Sequence, residues 1–254
     1  MELTFLELVL GRWMQRNSSR DRLALEIKQF ASTIPAGAMV LDAGAGDEPY
    51  RTFFAHARYE SADFRRSAAP GANTTYVCDL NSIPVDDQRY DFILFSQVME
   101  HLPEPEVALR ELFRVLQPGG TLLYSAPLFF EEHLQPYDFF RYTQFAVRRI
   151  FERAGFILER LDWLEGYYGT VGYQLDRMAR YLPSRPSDIA PGVLGYLLVP
   201  FFAMSRPFMA LLSIAFHRLE MKHKFTKRGY PKNYLAIARR PESPDSAATA
   251  WAPS

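Results

Sequence analysis

Cysteine and histidine are scarce in this sequence, and neither sign of charge is in excess. Its 254 residues include one cysteine, Cys78, and five histidines, and 29 basic residues balance 29 acidic ones. A single cysteine excludes an internal disulfide and a zinc site built from several thiolates, and it favours a reducing, cytoplasmic location. The histidines do not cluster with carboxylates at ligand spacing, so we expect no metal site. Zero net charge argues against a nucleic-acid-binding protein, which needs a basic surface.

A targeting segment is also not evident at the start of the sequence. The first ten residues are apolar, but Glu2 and Glu7 stand where a signal peptide carries positive charge, and no small-residue cleavage site follows. Apolar residues at helical spacing predict N-terminal helices within residues 1–34, one over 3–10 and one over 22–30. The polar stretch 15–20 is predicted to join them.

From residue 35 onward, short apolar runs alternate with helical stretches. This alternation predicts an α/β fold in which a parallel sheet carries helices on both faces, and the uniformly apolar strands are typical of burial on both sides. Strands are predicted at 38–42, 58–63, 74–79, 90–96, 120–126, 156–163 and 233–239. Helices are predicted at 49–57, capped by Asp47, at 104–116, stopped by Pro118-Gly119-Gly120, and at 143–154, capped by Thr143 and ended by Gly155.

A glycine loop follows the first predicted strand. Gly44 and Gly46 let the backbone turn sharply and approach a ligand closely. Asp63, 21 residues after Asp42, ends the next strand, where an acid can accept hydrogen bonds from both ribose hydroxyls. Pro49 occupies the place of the third glycine of a dinucleotide fingerprint. The loop therefore favours a ligand with ribose and adenine but without a pyrophosphate.

These motifs, in this order, resemble those of the class I S-adenosylmethionine-dependent methyltransferases, of the type with a methyltransferase type 11-like domain. The resemblance covers residues 38–164 and 233–239 and includes FILFSQVMEHL at 92–102 and LQPGGTLLYSA at 116–126. It implies S-adenosyl-L-methionine as the cofactor. It also implies a set of cofactor-binding residues at strand ends: Asp42, Ala43, Gly44, Gly46, Asp63, Phe64, Asp79, Leu80, Ser96 and Gln97.

The resemblance further implies a Rossmann-like sheet of seven strands in the order 3-2-1-4-5-7-6, with strand 7 antiparallel. We expect a methyltransferase domain over 35–240 and a disordered tail over 241–254. The family's connection between strands 6 and 7 is short, but here residues 166–231 lie between them. We interpret this segment as a helical apolar insertion.

Two histidines are candidate general bases for an acceptor hydroxyl. His101 follows the fourth strand, and His133 lies in the segment 131–143 after the fifth; we prefer His133. The alternative for that segment is that Asp138 and Arg141 form an ion pair that only orders the loop. Three tyrosines of the insertion could line the acceptor side or simply pack in a core: Tyr167, Tyr168 and Tyr173.

The apolar stretch 189–216 of the insertion has three interpretations. It is a buried lid or a homodimer interface, an element that docks on a membrane, or a spanning helix, which Pro191, Pro200 and Arg206-Pro207 disfavour. A basic run follows it and would suit anionic headgroups, which makes 189–228 a candidate for peripheral membrane contact. That run contains Arg218, Lys222, Lys224, Lys227, Arg228 and Lys232, opposed only by Glu220.

The sequence thus predicts an S-adenosylmethionine-dependent methyltransferase, O-directed, with a small or lipid-linked acceptor such as a glycan or another amphipathic molecule. Its expected location is cytoplasmic, with or without membrane association. Two alternatives remain at this stage. One is a cofactor-binding scaffold without turnover; the other is a nicotinamide-dependent oxidoreductase, which Pro49 and the lack of a Tyr-x-x-x-Lys pair near the fifth strand disfavour.

Overall fold

The computed structural model describes residues 18–67, 69 and 73–243. The helix predicted over 3–10 and most of the tail predicted over 241–254 lie outside these residues. The chain divides into two compact units. The sheet unit comprises Leu23–Leu164 and the chain from Asn233 onward, and the helical unit comprises Glu165–Lys232 with the chain up to Arg22.

The sheet unit contains the predicted sheet. Its seven strands lie in the order β3-β2-β1-β4-β5-β7-β6, and β7 runs antiparallel to both of its neighbours. The predicted topology is therefore confirmed. The strands are β1 (Met39–Ala43), β2 (Arg58–Asp63), β3 (Tyr76–Val77), β4 (Tyr90–Ser96), β5 (Leu116–Pro127), β6 (Ile157–Trp163) and β7 (Asn233–Arg239).

Both faces of the sheet are buried because successive side chains of a strand point to opposite sides. In β4, Ile93 and Phe95 belong to one hydrophobic cluster, whereas Leu94 between them belongs to the other. Leu122 and Leu123 of β5 divide in the same way. The apolar strands predicted to be covered on both sides are covered by separate cores.

Among the described residues, three helices pack against this sheet. They are α1 (Ser18–Thr33), whose residues from Leu23 onward belong to the sheet unit, α2 (Pro105–Val115) and α3 (Gln144–Arg153). Leu23, Ile27 and Phe30 are buried on one face of α1, as their spacing predicts. Thr143 caps α3 by accepting a hydrogen bond from the Ala146 N–H, and Gly155 follows with a φ of +97°. Both predicted ends of α3 are confirmed.

The structure corrects several predicted boundaries. The helix predicted over 49–57 is only a 3-10 turn, Arg51–Phe54, and Asp47 does not cap it but accepts from the Ser67 hydroxyl at 2.8 Å. The stretch predicted to join two helices is already helical from Ser18. The third strand has two residues instead of six. At the end of α2, Leu116 already pairs with β4, so strand β5 begins before the Pro-Gly-Gly segment.

The helical unit consists mainly of α4 (Tyr167–Tyr181), the single turn α5 (Pro186–Ile189) and α6 (Val193–Lys222). These helices confirm a helical insertion between β6 and β7. Pro200 and Pro207, which disfavour a spanning helix at the level of sequence, both lie inside the 30-residue α6. An interior proline removes one helical hydrogen bond and clashes with the preceding turn, a cost that the rest of this long helix offsets.

A buried acid connects the start of α4 to the end of α6. Glu220 is fully buried, and its carboxylate accepts from the N–H groups of Gly166 (2.8 Å) and Gly169 (3.1 Å). These N–H groups belong to the first turn of α4, where a helix has unpaired donors and favours negative charge. Arg22 lies 3.5 Å from the same carboxylate and neutralises it.

We predict that Phe151→Ala lowers the free energy of unfolding by about 3–5 kcal/mol, since removal of a buried aromatic ring leaves a cavity. Phe151 is fully buried and contacts the rings of Tyr124 and Phe156. Chemical denaturation measures the change. Phe145→Ala on the same helix is the control, because Phe145 is 75% exposed. Equal losses in the two variants would contradict the described core.

Candidate functional site

The loop after β1 is shaped by two glycines with positive φ, Gly44 at +77° and Gly46 at +53°. A Cβ on Gly44 would lie 2.4 Å from a methyl group of Val98, so only glycine fits there. A Cβ on Gly46 would meet nothing within 4 Å. The loop is thus packed against the protein at Gly44 and open at Gly46, where a ligand can approach its backbone.

Asp63, the last residue of β2, holds this loop in place. Its Oδ2 accepts from the Gly46 N–H at 2.9 Å and its Oδ1 from the Arg65 N–H at 3.1 Å. Each carboxylate oxygen has a second lone pair. The side chain can therefore order the loop and still accept from a pair of ligand hydroxyls, the function predicted for it.

Asp42, like Asp63, is a buried acid. Its Oδ2 accepts from the Tyr59 hydroxyl at 2.5 Å. Burial raises the pKa of Asp42 to about 7, and the nearby Glu48 and Asp63 add to the effect. Asp42 is therefore bonded to β2 through Tyr59, and its direct contact with the cofactor stays a prediction.

The remaining predicted cofactor residues lie at the same edge of the sheet. Asp79 follows β3 with an exposed side chain, whereas Leu80 is buried and Ala43 fully so. Ser96 ends β4, and its hydroxyl lies 2.9 Å from that of Ser125 on β5. Gln97 has a φ of +59° and donates through its N–H to the Ser125 carbonyl. The parallel topology brings these strand ends together.

Glu48 is a site residue that the sequence analysis missed. It is buried next to the glycine loop, and its carboxylate accepts from the Ser61 hydroxyl (2.6 Å), the Asn73 N–H (3.1 Å) and Arg51 (2.7 Å). These hydrogen bonds hold the pKa of Glu48 below its usual range although burial opposes them. Nothing in its sequence neighbourhood indicated that it connects the ends of β1 and β2.

The 128–143 loop, which follows β5, contains a histidine held by an acid. Asp138 accepts from the His133 N–H at 2.8 Å, and its Oδ2 lies 3.3 Å from His133 Nδ1. Arg141 donates to both oxygens of Asp138, at 2.6 and 2.8 Å, which keeps the pKa of Asp138 far below its usual range. The predicted ion pair is present, and the same acid also orients His133.

The two candidate bases, 32 positions apart in the chain, are neighbours in the structure. The His101 and His133 rings meet edge to face with centroids 4.7 Å apart. His101 Nδ1 lies 2.5 Å from the Tyr137 carbonyl, an acceptor, so Nδ1 carries the proton and Nε2 keeps its lone pair. Burial lowers the pKa of His101 and favours this neutral form.

Glu100 lies beneath these histidines as a buried acid. It is fully buried, and neither carboxylate oxygen accepts a hydrogen bond from any other described residue; His101 Nε2 is 3.8 Å away. Burial therefore raises the pKa of Glu100 to about 8. The backbone carbonyl of Glu100 accepts from the Phe139 N–H at 2.8 Å and thereby fixes the position of the 128–143 loop.

Glu100, His101 and His133 also form a donor set that could hold a metal ion. Each offers one ligand atom, and these atoms lie within 4.8 Å of one another. The sequence predicted no such cluster because His133 reaches the other two residues only through the path of the 128–143 loop. Imidazole and carboxylate are ligand types that Zn²⁺ accepts.

One aromatic contact connects the cofactor side and the loop. The rings of Phe64, just after β2, and Tyr137 lie 6.3 Å apart, and both are exposed. Within the helical unit, the predicted acceptor-side tyrosines contact other residues of that unit. Tyr167 contacts Tyr230, Tyr168 stacks on Phe225 at 5.2 Å, and the Tyr173 ring lies under Lys232. Packing accounts for these three tyrosines.

Residues 13–161 match the family described as a methyltransferase domain. The match covers more than half of the chain, so the chain belongs to this family. The strand order and the glycine loop described above are consistent with it. The family and the names of the relatives below support S-adenosylmethionine as the cofactor, and none of them supports an oxidoreductase.

Curated relatives match shorter segments. A probable S-adenosylmethionine-dependent methyltransferase of Mycolicibacterium smegmatis is 30% identical over 47% of this chain and 44% of its own. A ubiquinone biosynthesis O-methyltransferase of Coxiella burnetii is 33% identical over 21% of this chain and 23% of its own. A ubiquinone/menaquinone biosynthesis C-methyltransferase of Yersinia enterocolitica is 42% identical over 22% and 24%. The chain spans less than half the length of these relatives.

A solved structure shows the same fold. It is the 1,6-didemethyltoxoflavin N1-methyltransferase of Burkholderia thailandensis, described with its substrate and S-adenosylhomocysteine bound. It is 14% identical, with a TM-score of 0.51, and the match covers 92% of this chain and 84% of that one. The site described here fits the same cofactor, since open space at Gly46, spare lone pairs on Asp63 and the exposed Asp79 lie along one edge.

We predict that Glu100→Gln removes a pH dependence of stability. The pKa of Glu100 is higher in the folded protein, about 8, than its ordinary 4.5, so between these values the folded state holds a proton that the unfolded state has lost. The stability of the unmodified protein should therefore fall as pH rises across this window, by at most about 1.4 kcal/mol per pH unit from this group.

Denaturant unfolding of both proteins at several pH values between 5 and 8, which lie inside the window set by 4.5 and about 8, measures the effect. The difference in stability should shift in favour of Glu100→Gln as pH rises. Glu132→Gln, at an exposed position in the nearby loop, is the control and should follow the unmodified protein. A constant difference across the window would show that Glu100 is not a buried neutral acid.

Proposed function

We propose that the protein transfers the methyl group of S-adenosyl-L-methionine to a hydroxyl oxygen of a small or lipid-linked, amphipathic acceptor in the cytoplasm. The observation that supports O-transfer is the pairing of His133 with Asp138 at the sheet edge that also carries the glycine loop. An acid at Nδ1 favours the tautomer whose Nε2 is free to accept a proton, the arrangement of a general base. An acceptor hydroxyl needs such a base, because it must lose its proton when its oxygen bonds to carbon.

The cofactor, when bound, supplies an electrophilic methyl group, and the protein's residues orient the two partners and remove a proton. Positioning of the reactants can contribute about 7–11 kcal/mol to the lowering of the barrier. A positioned base adds about 10²–10⁴-fold. The contact between Phe64 and Tyr137 supports the short separation that transfer requires, since it joins the end of β2 to the loop that holds His133.

The assignment of the cofactor-binding residues is tested at Asp63. We expect Asp63→Asn to weaken the binding of S-adenosylhomocysteine by about 10–100-fold, because hydrogen bonds to a charged acceptor contribute more than those to an amide. Isothermal titration calorimetry measures this. Asp47→Asn, an exposed acid in the same loop, should bind as the unmodified protein does. Equal affinities in all three proteins would remove Asp63 from the binding site.

The base assignment is tested at His133. We expect His133→Gln to lower kcat by about 10²–10⁴-fold while the affinity for S-adenosylhomocysteine stays unchanged. Asp138→Asn should lower kcat in the same direction, and Glu132→Gln, in the same loop, should not. Acceptors come from a screen of phenols, glycans and lipid-linked hydroxyl compounds with isotopically labelled S-adenosylmethionine.

Carbon-13 NMR of the labelled product distinguishes an O-methyl group from methyl groups on nitrogen or carbon. A C- or N-methylated product would overturn the O-directed proposal and leave the methyltransferase activity intact. An unchanged kcat in His133→Gln would instead refute only the assignment of His133 as the general base.

A further inference from the structure

We infer that the helical unit docks on the surface of an anionic lipid bilayer through one face of α6, without spanning it. Docking itself is independent of the identity of the acceptor. The consequence, that a membrane-borne acceptor is presented to the enzyme, rests on the proposed function.

The docking face is an exposed apolar stripe that the described part of the chain leaves uncovered. Its side chains are spaced three or four residues apart, so they lie on one side of the helix. Each is between 62% and 75% exposed. We call the following set the α6 stripe: Val193, Leu197, Phe201, Met204, Phe208 and Leu211.

The exposure of this helix contradicts an interpretation as a buried lid. An apolar window of α6 has a mean hydropathy of 1.7, high enough for a membrane-crossing helix, yet only 6% of that window is buried. Contiguous apolar surface of this kind marks an interaction site in a soluble protein. The stripe extends over 18 residue steps, or about 27 Å of helix.

From Arg206 onward, polar side chains on the other side of α6 bond to the rest of the helical unit, which argues against a spanning helix. Ser213 donates to the Gly172 carbonyl at 2.7 Å, and His217 lies 3.4 Å from Asp21. Arg206, in the middle of the helix, donates to the Leu182 carbonyl and to the Ser184 hydroxyl. A helix whose exposed face is apolar, and whose other side is held to the protein by such polar contacts, suits the plane of a membrane interface.

The helix that packs against α6 also argues against a position across the membrane. α4 packs against α6 and carries the ion pair Asp176–Arg180, with a 2.9 Å contact, on its C-terminal half. Taking this pair into hydrocarbon together with α6 would cost several kcal/mol for each charge. An interfacial position leaves these charges in water.

The charge next to the stripe selects the kind of surface. Arg218 and Lys222 continue the same helical face beyond Leu211, and Lys227 and Arg228 follow; all four are exposed. Glu220 is the one acid among residues 218–232, and it is buried and bonded to backbone N–H groups, so it does not offset them at the surface. A basic patch beside an apolar stripe complements anionic headgroups over acyl chains.

The same charges disfavour a second copy of the chain as the occupant. A two-fold contact along this face would either place the two basic ends together or cover Arg218 and Lys222 with the apolar half of the partner. Both arrangements cost free energy, by repulsion or by desolvation. A bilayer can contact both the apolar stripe and the basic residues, since acyl chains and headgroups lie at adjacent depths.

Flotation of the full chain with vesicles tests the inference. We expect binding to vesicles of phosphatidylcholine mixed with phosphatidylglycerol, weaker binding at raised salt, and little binding to phosphatidylcholine alone. The double variant Leu197→Glu/Met204→Glu should lower the partition coefficient at least about tenfold, since both side chains would leave the apolar layer. Phe145→Glu, an equally exposed phenylalanine of the sheet unit, is the control and should bind normally.

The basic patch is tested by Arg218→Glu/Lys222→Glu, for which we expect about a fivefold loss per charge at low salt and a smaller loss at high salt. Lys28→Glu, exposed on α1, is its control. Circular dichroism and the affinity for S-adenosylhomocysteine should be unchanged in all four variants. These two measurements separate loss of docking from loss of folding. They also distinguish a failure of the docking inference from a failure of the proposed methyl transfer.

Three results would overturn the inference. One is a protein that stays in solution with every vesicle composition. Another is a dimer in light scattering that Leu197→Glu/Met204→Glu dissociates while vesicles are ignored, which would assign the stripe to a second copy. The third is a membrane-bound protein that only detergent, and neither salt nor alkaline carbonate, releases, which would indicate a spanning helix.

Discussion

The site depends on a hydrogen bond between two strand ends, from the Gly46 N–H to the carboxylate of Asp63. The bond fixes the glycine loop after β1 against the end of β2, and Glu48 reinforces it through Ser61 and Arg51. Because β1 to β5 are parallel, the loops after them emerge at one edge. The topology of the sheet therefore brings the cofactor residues and the histidine loop to the same edge.

Burial of two acidic side chains at this edge lowers the folding stability and shifts their protonation. Asp42 and Glu100 both have raised pKa values because their carboxyls are enclosed, and among the described residues no cation lies at hydrogen-bond distance from either. Asp138 is the opposite case, since Arg141 holds it ionised and it can orient His133. Acids in different environments therefore have different protonation states at neutral pH, a common property of enzyme sites.

The helical unit shows a second type of constraint. Glu220 accepts from the first N–H groups of α4, and Ser213 bonds to the same helix, so these polar side chains of α6 are used inside the unit. Its apolar side is consequently turned outward. The prolines of α6 did not break it, because tertiary contacts to α4 and α5 support the helix on either side of them.

Patterns local in the chain were sufficient for most of the fold: the strand spacing, the Thr143 cap, the Gly44–Gly46 loop and the acid that ends β2 were all predictable, because each depends on neighbouring residues. Contacts between distant segments were not. The pairing of His133 with His101, the role of Glu48 and the exposure of the α6 stripe depend on how loops and helices pack. The sequence by itself determined most of the strands and the cofactor loop through local backbone preference, and the resemblance supplied their order. Only the tertiary structure decided which side chains meet and which stay exposed, because packing acts between residues that the chain separates.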